Sequence, residues 1–258
     1  MKYAIIGLGE VGQTYGTALV DAGNEVIGFD PFITDAVAGI ALAPSAADAA
    51  KDADTVLVLT GSGAAQAVAD ECLPVMAAGS FYADFTSSSP EMMQKLGAVA
   101  GAVRFIDVAI LGPVIAQGVR TPLMVSGDGA QTFAAQFEAI GAPITVVEGG
   151  PGSAMAHKLI RSVFMKGLAS VVIEAVSAGS AAGLDSWIRG EIAQTLAGDG
   201  QATIDRFIAG TAKHAVRRAV EMRSTASYLS DLGVPHEMTT ASACAMERMS
   251  TRNTSTDG

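Results

Sequence analysis

The chain has 258 residues, half of them apolar, and carries 26 acidic residues against 16 Lys and Arg for a formal charge of −10. That length buries a large core in one domain or two, and the acidic balance excludes a nucleic-acid partner, whose affinity comes mainly from neutralising phosphates with Lys and Arg. Two distant cysteines, Cys72 and Cys244, have no metal-ligand spacing, which fits a reduced, cytoplasmic setting without a disulfide framework.

The first apolar run, "MKYAIIGLGEVGQTYG", is interrupted by Glu10 and four glycines, and no stretch reaches membrane-spanning length, so the reading is a soluble protein with no membrane partner. From Lys2 to Val147, short β-rich runs alternate with alanine-rich helical segments. The strands are "KYAII", "EVIGF", "TVLVL", "FYADF", "RFIDV", "PLMVS" and "ITVV". This alternation predicts an α/β, Rossmann-type doubly wound domain over residues 1–150, with a parallel sheet and crossover helices. After "EGGPG" (148–152) the pattern is helical only, punctuated at Gly183, Gly198 to Gly200, Gly210 and "LGVP". An all-α domain is expected over 151–250, opened by a long interdomain helix. The polar tail, 251–258, reads as disordered.

Chemistry starts at "AIIGLGEVGQTYG", where Gly7, Gly9 and Gly12 form a G-x-G-x-x-G turn after a strand and at a helix start. Gly7 permits the tight turn, Gly9 lets backbone approach a pyrophosphate, and Gly12 allows close helix-to-strand packing. Glu10 and Val11 lie between them at the helix N-terminus, whose N–H groups suit an anion. The second strand ends at Asp30, where a carboxylate accepts the adenosine ribose hydroxyls and repels a 2′-phosphate; no Arg follows closely. NAD is therefore expected over NADP. Asp30 before Pro31 also fits a plain turn-forming role. At later strand ends, Thr60 and Gly61 of "LTGSG" and Ser87 of "DFTSSSP" are candidates to border a nicotinamide. For the serines the competing account is capping of a helix that begins at Pro90.

Lys158 opens the helix that follows the first domain. Arg161 and Ser162 share its face at three and four residues on, while Leu159, Ile160 and Val163 suit packing. A lysine here either snorkels over apolar surface or, desolvated, exchanges a proton with a substrate hydroxyl.

Taken in order, the glycine turn, "DFTSSSP", "FIDVAILGP", "TPLMVSGDG" and "GGPGSAMAHK" make the chain resemble the β-hydroxyacid dehydrogenases, which include 3-hydroxyisobutyrate and 6-phosphogluconate dehydrogenases. The resemblance runs from about Lys2 to Leu184. Gly149, Gly152 and Lys158 match the family's G-x-x-G-x-G-x-x-x-K signature, with Ala154 in place of its last glycine. The resemblance implies that Lys158 is the catalytic acid/base, that Ser87 borders nicotinamide and substrate, and that the protein forms a homodimer or larger homo-oligomer. In the segment corresponding to the family's substrate-carboxylate loop, Gly112 is kept, but Leu111 replaces a serine and Pro113 a glycine. Arg161 and Ser162 stand where the family has Asn after the lysine. "KLIRSVFMKG" and "HAVRRAVEMRS" are closest to a phosphogluconate-dehydrogenase-like subgroup with an uncharacterised C-terminal domain. The implied activity is NAD-dependent hydride transfer to or from the hydroxyl carbon of a small hydroxy acid or polyol acid, with decarboxylation open. Imine reduction and a non-catalytic dinucleotide sensor are the alternatives.

His157, His214 and His236 lack partners at metal-ligand spacing, so no metal is expected. His214, Arg217 and Arg218 read as a solvated helix face, with an anion contact as the sharper option. Glu174, nearly opposite Lys158 on the helix, reads as structural.

Overall fold

The computed structural model describes residues 1–254 apart from Ala36 and Ala38. Two compact units divide it, Met1–Arg161 and Ser162–Gly258.

The first unit is built on one eight-stranded sheet. In chain order the elements are β1 (Lys2–Ile6), α1 (Glu10–Asp21), β2 (Glu25–Phe29), β3 (Ala41–Leu42), α2 (Ala46–Ala50), β4 (Thr55–Val58), α3 (Ala65–Cys72), β5 (Phe81–Asp84), α4 (Pro90–Val99), β6 (Arg104–Ile110), α5 (Val114–Gln117), β7 (Leu123–Ser126), α6 (Ala130–Glu138) and β8 (Ile144–Val146). Strand order is β3-β2-β1-β4-β5-β6-β7-β8. Chain order reverses direction between β1 and β4, and such a switch point leaves a crevice at the C-terminal strand ends. Alternate residues of the central strands feed two cores. Ala4, Val56, Tyr82 and Phe105 point to one face, and Ile5, Leu57, Ala83 and Ile106 to the other. Burial on both faces explains why these strands read as nearly continuous apolar runs.

Two details differ from the sequence expectation. The two-residue β3 carries too little pattern to announce itself. The sheet is also not wholly parallel, since β6 and β7 pair antiparallel, Ile110 opposite Leu123. Their connection holds the one-turn α5 and a 3-10 turn at Gly118–Arg120, too short to run back along the sheet as a crossover helix must.

The long helix α7 (Ser153–Ala181) spans the unit boundary. Beyond it come α8 (Asp185–Leu196), α9 (Gly200–Lys213), α10 (Ala215–Asp231) and α11 (Glu237–Thr254). Gly210 lies inside α9 rather than between helices; the break falls at His214. Helix α11 runs on to Thr254, four residues into the tail read as disordered from its polarity; 255–258 lie outside the described residues. Leu159, Ile160 and Val163, expected to pack, are 45%, 73% and 78% exposed. No described helix is long and apolar enough to cross a membrane.

Candidate active site

The glycine turn sits directly after β1. Gly7 has φ +100, a conformation that L side chains rarely adopt, and a Cβ there would lie 2.8 Å from the Leu59 carbonyl. That close approach sets the turn beside the β4 end, where Thr60 and the exposed Gly61 follow. Gly12, the first buried position of α1, lets the helix press on the turn: its Cβ would fall 2.0 Å from Gly7 O. Gly9 is the opposite case, exposed and with no atom within 4 Å of a Cβ. The open space in front of Gly9 adjoins the start of α1, where no side chain caps the first turn, so uncapped N–H groups converge there. Glu10 is exposed and Val11 half-buried in that turn.

Asp30 closes this loop from the β2 side. Its Oδ2 accepts the Leu8 N–H and its Oδ1 the Phe32 N–H, both at 2.9 Å. Two backbone donors therefore fix the carboxylate at the edge of the glycine turn, with lone pairs to spare. The turn role and a ribose role are compatible in one side chain. An open cradle, an uncapped helix start and a fixed acid fit a dinucleotide.

Lys158 is placed by the start of α7. Its Nζ donates to Ser87 Oγ at 2.8 Å. Ser87 stands exposed in the loop after β5, while its neighbours Thr86 and Ser88 are buried and bonded to each other at 2.7 Å. Ser89 caps α4, accepting the Met92 N–H at 3.2 Å with Pro90 in the first turn. Capping and the facing of Lys158 thus fall to different serines of one loop. The α7 start is tied down in turn: the N–H groups of Gly152 and Met155 reach Asp107 Oδ2, each at 3.0 Å. The Ala154 N–H reaches Ser126 Oγ, also at 3.0 Å. Sequence reading gave no role to Asp84 or Asp107, yet each stands in a strand whose other residues are almost all apolar. That contrast is the signal available beforehand, because a buried carboxyl is costly unless it is bonded.

The remaining candidates are more loosely placed. Gly112 lies two residues beyond β6 and is exposed, Arg161 is exposed, and Ser162 is half-buried. Glu174 has the structural part expected of it: its carboxylate accepts the N–H groups of Met238 and Thr239 and the Thr239 hydroxyl, capping the start of α11. Arg217, exposed, pairs with Glu221 on its own helix, whereas Arg218 is half-buried and bonds Thr211 of α9. Among the described residues no group of three or more His, Cys, Asp or Glu is placed to hold a metal.

Residues 2–150 match the family described as the NAD binding domain of 6-phosphogluconate dehydrogenase, more than half of the sequence. The chain belongs to that family. Residues 180–249 match a separate domain of unknown function (DUF1932). An uncharacterised 28.5 kDa protein of Methanothermus fervidus is 29% identical over 103 residues, 40% of this chain and 39% of that protein. The chain thus matches about two fifths of that relative's length. Two solved structures share the fold. A Streptomyces aurantiacus imine reductase aligns with TM-score 0.80 and 19% identity over 96% of this chain and 94% of its own. Mycobacterium tuberculosis 3-hydroxyisobutyrate dehydrogenase aligns with TM-score 0.69 and 20% identity over 97% and 94%.

Proposed function

We propose that the protein is an NAD-dependent oxidoreductase acting between the hydroxyl and carbonyl forms of a small hydroxy acid or related polyol acid, with Lys158 as its proton-transfer group. The observation that carries this reading is the 2.8 Å contact from Lys158 Nζ to Ser87 Oγ. It puts an ammonium at the loop after β5, on the sheet edge that also bears the glycine turn. Gly7, Gly9, Glu10, Val11, Gly12, Asp30, Thr60 and Gly61 would hold the dinucleotide, whose nicotinamide supplies or takes the hydride. Lys158, as the neutral amine, takes the proton of the substrate hydroxyl in oxidation and, as the ammonium, returns it in reduction. Ser87 holds the Nζ in place and offers its own hydroxyl to the substrate. Gly112, Arg161 and Ser162 are proposed as further substrate contacts, Arg161 for an anionic group.

The test is a panel of 3-hydroxy acids with NAD and of 3-keto acids and cyclic imines with NADH, followed at the nicotinamide absorbance with CO₂ release measured in parallel. Turnover of the hydroxy and keto acids supports the reading. Turnover of imines alone replaces it with the second reading, favoured by one observation: Leu111 brings no hydroxyl and Pro113 no N–H to the loop where the resemblance implies a carboxylate anchor. Binding of NADH without turnover of any member would leave a sensor.

Cofactor preference follows from Asp30. NADH should bind more tightly than NADPH by calorimetric titration. Asp30→Ala should lose about 1.5–3 kcal/mol for each ribose hydroxyl it no longer accepts and narrow the gap between the two cofactors. Equal affinity for both in the wild type would remove the ribose role.

A homodimer is also proposed. Ile160, Val163 and Phe164 on α7 are 65% exposed or more, and among its described residues the helical unit buries small or isolated apolar side chains such as Ala215, Ala219, Leu229 and Ala243. An apolar cavity of about 310 Å³ in that unit, lined by Trp187, Ile188, Met222 and Tyr228 among others, is a further unfilled surface. Apolar area on this scale calls for a partner. Light scattering at micromolar concentration should give at least twice the mass of 26.1 kDa, and a monomer would count against it.

A further inference from the structure

Asp84 and Asp107 are register partners on β5 and β6, adjacent strands about 4.8 Å apart. Side-chain alternation sends both to the face that carries Tyr82 and Phe105. Both are fully buried. Asp107 Oδ2 accepts the Gly152 and Met155 N–H groups and, at 3.2 Å, the Ser126 hydroxyl, whose oxygen holds the Ala154 N–H. Three backbone amides at the start of α7 therefore end on one carboxyl oxygen, two directly and one through Ser126. The other oxygen, Asp107 Oδ1, has no hydrogen-bond partner, and neither has Asp84 Oδ2, although Asp84 Oδ1 accepts the Thr86 N–H at 2.8 Å. Two orphaned carboxyl oxygens on neighbouring strands require an explanation.

We infer that the two carboxyls share one proton: Asp84 carries it and donates it to Asp107 Oδ1, which leaves Asp107 the anion that seats the α7 start and thereby positions Lys158. One hydrogen bond then satisfies both orphans. The proton belongs on Asp84 because Asp107 already accepts three donors and faces the positive end of α7, both of which favour its charge, while Asp84 has only Thr86, through its N–H and hydroxyl. Two adjacent carboxylates in an apolar setting do not both ionise. Burial pushes the Asp84 carboxyl up to about 6, with Asp107 adding to the rise. Burial raises Asp107 as well, against the bonds from Met155, Ser126, Gly152 and Ala154 that pull it down. The neighbouring elements bring Tyr82 from β5, Ser126 from β7, and from α7 His157 and Lys158. The charged residues of α4, Glu91 and Lys95, are exposed. Lys158 lies three residues past Met155, about 4.5 Å along the helix axis, so any slackening of the anchor is felt at its Nζ.

The role given to Lys158 rests on the proposed activity; the shared proton does not. Infrared spectroscopy of the intact protein, with carbon-13 placed in the aspartate carboxyls, should show one protonated-carboxyl band at a pH just below the value of about 6 to which burial pushes Asp84. That band should disappear in Asp84→Asn, whose amide donates in place of the proton. No such band, two of them, or one that survives in Asp84→Asn overturns the pair. For the anchor, the methyl resonance of Lys158 in reductively methylated protein, assigned with Lys158→Arg, should move in Asp107→Asn. If Asp107→Asn does not fold, Ser126→Ala removes the Ala154 link alone and should move the same resonance less. An unmoved resonance in the folded variant overturns the positioning role. Both readouts are free of substrate, so failure of the activity panel and failure of this inference are separate results.

Discussion

Lys158→Ala is expected to bind NADH as the wild type does and to lose turnover by about 10²–10⁴-fold, the usual worth of a positioned acid or base. The separation of the two effects is what tests the role. Asp30 is fixed by the Leu8 and Phe32 N–H groups, whereas Lys158 Nζ bonds Ser87, so cofactor affinity is expected not to follow the lysine, while the proton that must leave a substrate hydroxyl has lost its acceptor. Lys158→Arg should not restore activity, because a guanidinium keeps its charge across the working range and its planar fork does not reproduce the Nζ bond to Ser87. Ser87→Ala should give a smaller loss, since it removes the partner that holds Nζ but leaves the amine. Steady-state rates on whichever acid the panel identifies, with NADH titrations of each variant, decide the matter. Turnover of Lys158→Ala near the wild-type rate would return the lysine to a packing role.

Most of the element order in the first unit was legible because every strand but the two-residue β3 is a short apolar run bounded by turn residues. The glycine turn was legible because three glycines at fixed offsets answer to local sterics: a positive φ at Gly7 and contact at Gly12. The reversal of β7 was not, since antiparallel pairing depends on the length of the helix in the β6–β7 connection, and "VIAQ" looks helical without revealing that it stops after one turn. Lys158 stood out by position, but its partner could not: Ser87 lies 71 residues away, and any of the three serines in "SSS" could have faced it. The anchoring by Asp107 is of the same kind, since a strand acid meets a helix start 45 residues later only once the sheet is assembled. Leu159, Ile160 and Val163 misled for a different reason. Apolar periodicity states that a face is to be covered, and it is silent on whether the cover comes from the same chain.

Gly9→Ala and Gly12→Ala should separate cofactor binding from folding within one turn. At Gly9 the backbone has φ −65 and ψ −171, an extended conformation open to any residue, and nothing in the protein lies within 4 Å of the new methyl. Gly9→Ala should therefore melt with the wild type. Its methyl, however, occupies the concavity in front of the uncapped α1 start, where a phosphate must come within hydrogen-bond distance of backbone N–H groups. Bonds to a charged group contribute about 1.5–3 kcal/mol each, so NADH affinity should fall by about tenfold to a hundredfold or more. At Gly12 the methyl would meet Gly7 O at 2.0 Å, and backbone cannot swing aside as a flexible side chain would. Helix α1 must shift off β1, with an overpacking cost of about 1–3 kcal/mol and a drop in thermal midpoint of about 2–4 °C for each of those kcal/mol, together with loss of NADH binding because the turn itself is displaced. Differential scanning calorimetry and NADH titration on both variants read the two effects independently. A Gly9→Ala protein that binds NADH at wild-type strength would show that the open space before α1 is not where the pyrophosphate sits, and the dinucleotide assignment of this turn would have to be redrawn around other amides.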